Sequence, residues 1–156
     1  MKITLKDGTC RDVPAGQTVG QALSTAGVTL GSDIVAAKFN GAVVDLSREF
    51  SEDATVEPLR FDSPDGREVY RHSSTHIMAQ AVKELFPTAQ LTIGPALEDS
   101  FYYDFAYDRP FTPEDLEKIE ARAREIIKRN LPVKRREFSK QQAIEFFKAR
   151  GEAYKV

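Results

Sequence analysis

The stretch IVAAKFNGAVV, residues 34–44, decides the fold of the first part of the chain. Its mostly apolar first half runs up to Asn40-Gly41, a dipeptide that favours the tight turn of a β-hairpin, and its last three residues return beyond the turn. Upstream, apolar and polar residues alternate from Lys2 to Lys6, and Asp7-Gly8 then offers a second turn of the same kind. The sequence therefore predicts two hairpins.

One helix is expected between the hairpins. Thr18 can cap its start together with Gln21, and Gly27 can end it. The residues expected to face the core are Val19, Ala22, Leu23 and Ala26. Ala54 to Leu59 has the composition of a last strand. The order ββαββ with a closing strand is a β-grasp (ubiquitin-like) arrangement, which we assign to a domain of residues 1–62.

Long helices replace short strands after residue 62. Ser63-Pro64-Asp65-Gly66 is a run of turn formers, so a second domain, residues 63–156, is expected to begin there. Its expected elements are a helix from Val69 to Phe86, a hairpin within 91–107, a helix opened by Thr112, and a helix from Ser139 to Gly151. Between the last two helices, Leu131-Pro132-Val133 is expected to lead into a strand-like segment through Phe138. The apolar stripe of the middle helix is expected to consist of Leu116, Ile119, Ala123 and Ile126. The predicted fold class is α+β.

Composition and charge exclude several classes of protein. With 41% hydrophobic and 29% charged residues, and 22 basic against 24 acidic side chains, the chain is typical of an ordinary globular protein. Lys128-Arg129 and Lys134-Arg135-Arg136 favour a solvated face over a phosphate-binding patch. The absence of a long apolar stretch and of a signal peptide predicts a cytoplasmic protein without a membrane partner. The single cysteine, Cys10, cannot form an internal disulfide.

Both histidines of the protein, His72 and His76, lie four residues apart in the first long helix. At about 100° per residue, a helix places the pair away from its apolar stripe. That stripe is expected to comprise Ile77, Met78, Ala81, Val82 and Leu85. Three hydroxyl residues between the histidines, together with Lys83, favour a polar surface able to line a groove. Two solvated surface histidines without a role remain the alternative.

Two chemistries suit this histidine pair. Imidazoles at this spacing can hold Zn²⁺, but a zinc site needs a third protein ligand, for which only carboxylates such as Glu98 or Asp99 are at hand. Alternatively, an imidazole with an ordinary pKa of about 6.5 can act as a general base toward water at neutral pH. We predict that the pair binds no metal.

Three segments resemble consecutive parts of the editing region of the bacterial threonyl-tRNA synthetase family, and residues 1–62 resemble a TGS domain. The segments are VYRHSSTHIMAQAVKELFP (69–87), LTIGPALEDSFYYDF (91–105) and ARGEAYKV (149–156). The resemblance implies a metal-free site that hydrolyses seryl-tRNA(Thr). It assigns His72, His76 and Lys155 to catalysis and Tyr103 to substrate binding. The partner that it implies is tRNA(Thr).

The same resemblance implies an N-terminal part of a longer enzyme that attaches threonine to tRNA(Thr). In the family, the editing region continues beyond AYKV, and a catalytic domain that uses ATP, Mg²⁺ and Zn²⁺ and forms a homodimer lies further on. We therefore expect no cofactor in this part, and an editing site that is incomplete and inactive alone. Two other classes stay open, namely a non-catalytic RNA-binding or adaptor module and a zinc-dependent editing hydrolase of the alanyl-tRNA synthetase type.

Overall fold

Five strands and one helix form the first part of the computed structural model, which describes all residues, 1–156. The strands are β1 (Lys2–Leu5), β2 (Cys10–Asp12), β3 (Ile34–Phe39), β4 (Ala42–Val44) and β5 (Ala54–Arg60), and the helix is α1 (Val19–Thr25). They build one sheet in the order β2-β1-β5-β3-β4. Strands β1 and β5 are parallel, and the other neighbours are antiparallel. The β-grasp fold predicted from the sequence is confirmed.

The turn between β3 and β4 forms where the sequence predicts it. Asn40 and Gly41 have positive φ angles of 48° and 84°, the conformation that a two-residue turn of this type requires at both positions. The turn pairs Phe39 directly with Ala42. The predicted hairpin and its register are therefore set by two neighbouring residues.

Helix α1 is held at its start by a cap and along its length by burial. The Thr18 hydroxyl accepts from the Gln21 backbone N–H at 3.2 Å, and the Gln21 side chain accepts from the Thr18 N–H at 2.9 Å. Of the four residues expected in the core, three are buried and Ala26 is half-buried. Leu23 is fully buried with Ile3 and Val56 of the sheet. Burying each such side chain contributes roughly 1.5 to 3 kcal/mol, which explains why the helix stays on the sheet.

A long helix, α2 (Pro64–Leu85), follows the sheet and begins earlier than Val69, where the sequence analysis placed its start. Ser63 caps it, because its Oγ accepts from the backbone N–H of Gly66 at 3.1 Å, and Pro64 occupies the first helical position, where no N–H is needed.

Internal contacts divide the chain within α2 into two compact units, Met1–Tyr70 and Arg71–Val156. The domain boundary at residue 62 stays a prediction. No helix in the chain, α2 included, is long and apolar enough to span a membrane.

The second unit continues with a hairpin and two more helices. Strands β6 (Gln90–Leu91) and β7 (Phe105–Ala106) pair antiparallel, and an isolated bridge joins Ala96 to Phe101 further along, so the expected hairpin is confirmed. Helix α3 (Pro113–Lys128) starts at a cap made by Thr112 and Asp115. Helix α4 (Lys140–Ala149) starts after Ser139, where the sequence placed its start, at a cap made by Ser139 and Gln142, and a 3₁₀ turn (Ala153–Lys155) follows it.

Two expectations about the second unit are wrong. Residues 131–138 form no strand and are exposed throughout, because no strand of the chain pairs with this segment. Leu116 is 58% exposed, whereas Asp115 beside it is buried in an ion pair with Arg109. Because neighbouring helical positions are about 100° apart, the inward position of Asp115 turns Leu116 to solvent. Ile119 and Ile126 of the predicted stripe are buried with Ala81 and Val82 of α2.

Candidate functional site

His72 and His76 lie one helical turn apart on α2, with their Nε2 atoms 3.0 Å apart. Both side chains are exposed. On the other side of the helix, Ala81 and Val82 are buried, and the remaining members of the predicted stripe, Ile77, Met78 and Leu85, are partly buried. The predicted orientation of the pair, away from the apolar stripe, is confirmed.

Thr75 lies between the histidines in sequence but points into the core. Its side chain is fully buried, and its Oγ1 donates to the carbonyl of His72 at 2.6 Å. The expectation that the three hydroxyl residues share one polar surface is therefore wrong for Thr75. A hydroxyl that bonds back to the preceding turn of its own helix can be buried without another partner.

The pKa of His76 lies below its ordinary value. Although His76 is exposed, the neighbouring protein groups remove part of the hydration of its ring, and this desolvation is the largest cause, followed by the imidazole of His72 and the ammonium group of Lys155; each disfavours the protonated ring. At neutral pH the His76 ring is therefore neutral. In the 3.0 Å contact, one imidazole N–H then donates to the unprotonated nitrogen of the other. A neutral imidazole is the form that can accept a proton from water.

Tyr103 approaches the pair from the hairpin. Its ring stacks on Phe105 at 4.8 Å between ring centres and lies over Gly94, where an added β-carbon would stand 2.1 Å from the ring. Burial, and secondly the negative charge of Glu152, raise the pKa of Tyr103, so its hydroxyl keeps its proton at neutral pH. Tyr102 is 46% exposed and Tyr103 is partly buried, so the two neighbouring rings differ in their exposure.

Lys155 reaches the same place from the 3₁₀ turn. Its Nζ donates to the carbonyl of Thr92 in the hairpin at 2.7 Å. His76, Tyr103 and Lys155 line one pocket of about 580 Å³, and His72 adjoins this pocket through its contact with His76. The structure thus brings all four residues singled out in the sequence together within the second unit.

The sequence analysis missed Glu152 as a pocket residue and noted Lys83 only as a polar neighbour of the histidines. Glu152 forms an ion pair with Lys83 at 3.0 Å, and both residues line the pocket. Phe147 and Arg150, at the end of α4, complete that side. No local sequence signal pointed to Glu152, because its partner Lys83 lies on another helix.

The donor set around the histidines does not fit a zinc ion. No group of three or more His, Cys, Asp or Glu side chains in the chain is arranged to hold a metal. Asp99, one of the carboxylates considered as a third ligand, is almost fully exposed and lies 3.9 Å from Arg71. In addition, the ammonium group of Lys155, whose charge acts on His76, would repel a bound cation.

The chain is similar to known proteins over its whole length. Residues 1–57 match the TGS domain family. The chain is 52% identical over 154 residues to the threonine-tRNA ligase of Symbiobacterium thermophilum, covering 99% of this chain and 24% of that protein. It is 47% identical over 156 residues to the ligase of Desulforamulus reducens and 48% identical over 156 residues to that of Geobacter sp. strain M21, covering 100% of this chain and 25% and 24% of those proteins. The chain therefore spans about a quarter of the length of these relatives.

Proposed function

Because the chain contains a TGS domain and is homologous throughout to part of the threonine-tRNA ligases, we propose that its second unit hydrolyses seryl-tRNA(Thr). One observation carries this proposal. The neutral ring of His76, the ammonium group of Lys155 and the hydroxyl-bearing ring of Tyr103 line a single pocket. Hydrolysis of an ester needs a base for the water, a cation or donors for the carbonyl oxygen, and a surface that holds the substrate.

The chemistry of threonine selection explains why such a site is needed. Serine lacks one methyl group of threonine, and a methyl group changes binding by only about 1 to 3 kcal/mol. A second site that removes serine after its attachment multiplies the discrimination. We propose that the longer protein attaches threonine to tRNA(Thr). In this proposal, ATP, Mg²⁺ and Zn²⁺ bind to a part of the longer protein outside the matched quarter.

In the proposed mechanism, a water molecule beside His76 attacks the carbonyl carbon of the seryl ester. The imidazole accepts the proton of the water, and the Lys155 ammonium group stabilises the negative charge that develops on the carbonyl oxygen. The imidazolium then returns the proton to the ribose oxygen as the ester bond breaks, which releases serine and tRNA(Thr). His76 is the better placed base because it lines the pocket, and His72 orients it through their Nε2 contact.

The expected macromolecular partners follow from the same proposal. The bound partner is tRNA(Thr), whose aminoacylated end enters the pocket, and homodimer formation belongs to the longer protein. The basic residues suspected of binding phosphate are exposed, but two of them are engaged in ion pairs. Arg129 contacts Glu84 at 3.2 Å and Arg135 contacts Glu137 at 2.6 Å. These pairs support the solvated-face interpretation.

The proposal is tested by measuring release of serine from seryl-tRNA(Thr). Two proteins are compared, the 156-residue chain and a chimera in which this chain replaces the matching 154 residues of the Symbiobacterium thermophilum ligase. We expect release by the chimera, and about a 100-fold loss or more on His76→Ala, the scale of a lost general base. The matched control is Lys140→Met, which removes an exposed lysine at the start of α4.

The outcomes separate the candidate functions. Activity of the chimera with an inactive 156-residue chain supports an editing site that is incomplete in this chain. Release at the parental rate by both His72→Ala and His76→Ala contradicts a catalytic role of the pair. Binding of tRNA by a chimera that releases no serine favours a binding module instead.

A further inference from the structure

A partly buried ion pair ties helix α2 to the segment that follows α4. Lys83 Nζ lies 3.0 Å from Glu152 Oε1, with the Glu152 side chain 13% exposed and that of Lys83 30% exposed. Lys83 also donates to the carbonyl of Ala89 at 3.0 Å. Its ammonium group is thus held by two acceptors, and the carboxylate of Glu152 is held in turn.

Glu152 opens the 3₁₀ turn that carries Lys155. Its backbone N–H donates to the carbonyl of Phe147 at 3.1 Å, and its carbonyl accepts from the backbone N–H of Lys155 at 3.0 Å. Glu152 immediately precedes the three residues of the turn, and its carbonyl accepts the hydrogen bond that closes the turn. Fixing Glu152 through its side chain therefore holds the start of the turn that carries the Lys155 side chain.

The two carboxylate oxygens of Glu152 lie in different surroundings. Its Oε2 is buried and has no hydrogen-bond partner. Leaving a buried charged oxygen unpaired is unfavourable, and the ion pair of Oε1 with Lys83 offsets this cost. Because Oε1 pairs with Lys83 and Oε2 is buried, the carboxylate acts on its protein neighbours rather than on a substrate.

We propose that Glu152 is a positioning residue, whose ion pair with Lys83 fixes the 3₁₀ turn so that the Lys155 ammonium group stays beside His76. The inference rests on the proposed function only in giving Lys155 a part in hydrolysis. The placement itself can be tested without a substrate, because the charge of Lys155 lowers the pKa of His76.

The charged and titratable groups around His76 define what such a test must control. His72 lies on the same helix, with Lys83 and Glu84 further along it. The hairpin contributes Tyr103, and the segment after α4 contributes Arg150, Glu152 and Lys155. Glu84 is the matched control, because it lines the same pocket but pairs with Arg122 and Arg129 of α3 and its end rather than with the 3₁₀ turn.

The test is an NMR titration of His76 in the 156-residue chain. If Glu152 acted only through space, Glu152→Gln would lower the pKa of His76, because a negative charge favours imidazolium. If Glu152 positions Lys155, the same substitution releases the ammonium group and raises the pKa of His76. We expect an upward shift approaching that of Lys155→Met, and no upward shift for Glu84→Gln.

Two further variants complete the test. In a Lys155→Met background, Glu152→Gln should raise the pKa of His76 no further. Glu152→Asp keeps the charge but shortens the reach toward Lys83, so it should give a smaller rise, and it decides the matter if Glu152→Gln does not fold. An unchanged or lowered pKa in the single variants, or an equal rise in the Lys155→Met background, overturns the proposal.

An activity measurement separates this inference from the proposed function. In the chimera, Glu152→Gln should lower kcat for seryl-tRNA(Thr) while leaving KM nearly unchanged. The reason is that a displaced Lys155 ammonium group no longer stabilises the transition state, whereas binding of the substrate changes little. A change in KM alone would contradict a positioning role. A parental chimera without hydrolytic activity would defeat the proposed function, whereas the His76 titration would still decide the placement of Lys155.

Discussion

Tyr103 lies over Gly94 so closely that a β-carbon at position 94 would stand 2.1 Å from the tyrosine ring. Both residues belong to the hairpin, from which Tyr103 lines the pocket, and Phe105 stacks on the same ring. The ring position therefore depends on the absence of a side chain at residue 94. This dependence can be measured directly.

Gly94→Ala should displace the Tyr103 ring and lower the free energy of unfolding by about 1 to 3 kcal/mol, the usual cost of adding a methyl group to a filled space. Urea unfolding measures the change. In a Tyr103→Ala background the added methyl group has room, so the same substitution should cost much less. Equal costs in the two backgrounds would show that Tyr103 is not what limits the space.

Lys155→Met should move the pH dependence of serine release by the chimera to higher pH. His76 must be unprotonated to act as a base, so activity rises as pH increases through its pKa. Removing the Lys155 charge relieves one of the effects that lower this pKa, so the rise should shift upward. The pH profile of kcat/KM measures it, with Lys140→Met as the unshifted control. A profile displaced downward would contradict the arrangement.

Zinc should not bind to the histidine pair. The pair lacks a third protein ligand, and the charge of the Lys155 ammonium group acts on His76. Calorimetric titration of metal-stripped protein with Zn²⁺ should show no stoichiometric binding at the histidine pair. The His72→Ala variant identifies any binding that depends on the pair. Binding that is lost in this variant would instead favour a hydrolase of the alanyl type.

Asp115 should make the second unit sensitive to acid. The hydrogen bond from Arg109, followed by the backbone N–H of Thr112, lowers its pKa from 3.8 to about 2. A carboxyl group whose pKa is lower in the folded state stabilises it above the unfolded value, and this contribution disappears as pH falls from about 4 to 2. Asp115→Asn should therefore lower the free energy of unfolding at pH 7, and the variant should lose less stability than the parental protein as pH falls from about 4 to 2.

Urea unfolding at a series of pH values measures this effect. Glu117→Gln is the control, because that residue is an exposed carboxylate on the same helix. If the free energy of unfolding of Asp115→Asn fell with pH as steeply as that of the parental protein, the ion pair with Arg109 would not stabilise the folded protein.

Features that depend on a few neighbouring residues were predictable from the sequence. The Thr18 cap and the start of a helix at Ser139 are found as expected, since each cap is a contact between residues three apart, and the Asn40-Gly41 turn depends on backbone preferences at two positions. The shared face of His72 and His76 follows from the helical period alone. In addition, residues 69–87, 91–105 and 149–156 resemble consecutive segments of one family, so their common membership in one site was also predictable.

Contacts between distant residues were decided only by the tertiary structure. Residues 131–138 were expected to be strand-like but form no strand, because a strand needs a partner that local sequence does not specify. Asp115 rather than Leu116 turns inward because Arg109 is there to pair with it. Lys155 meets Thr92 across 63 residues. The pairing of Lys83 with Glu152 likewise requires α2 and the 3₁₀ turn to be packed together, because charge attraction acts through space and leaves no periodic trace in the sequence.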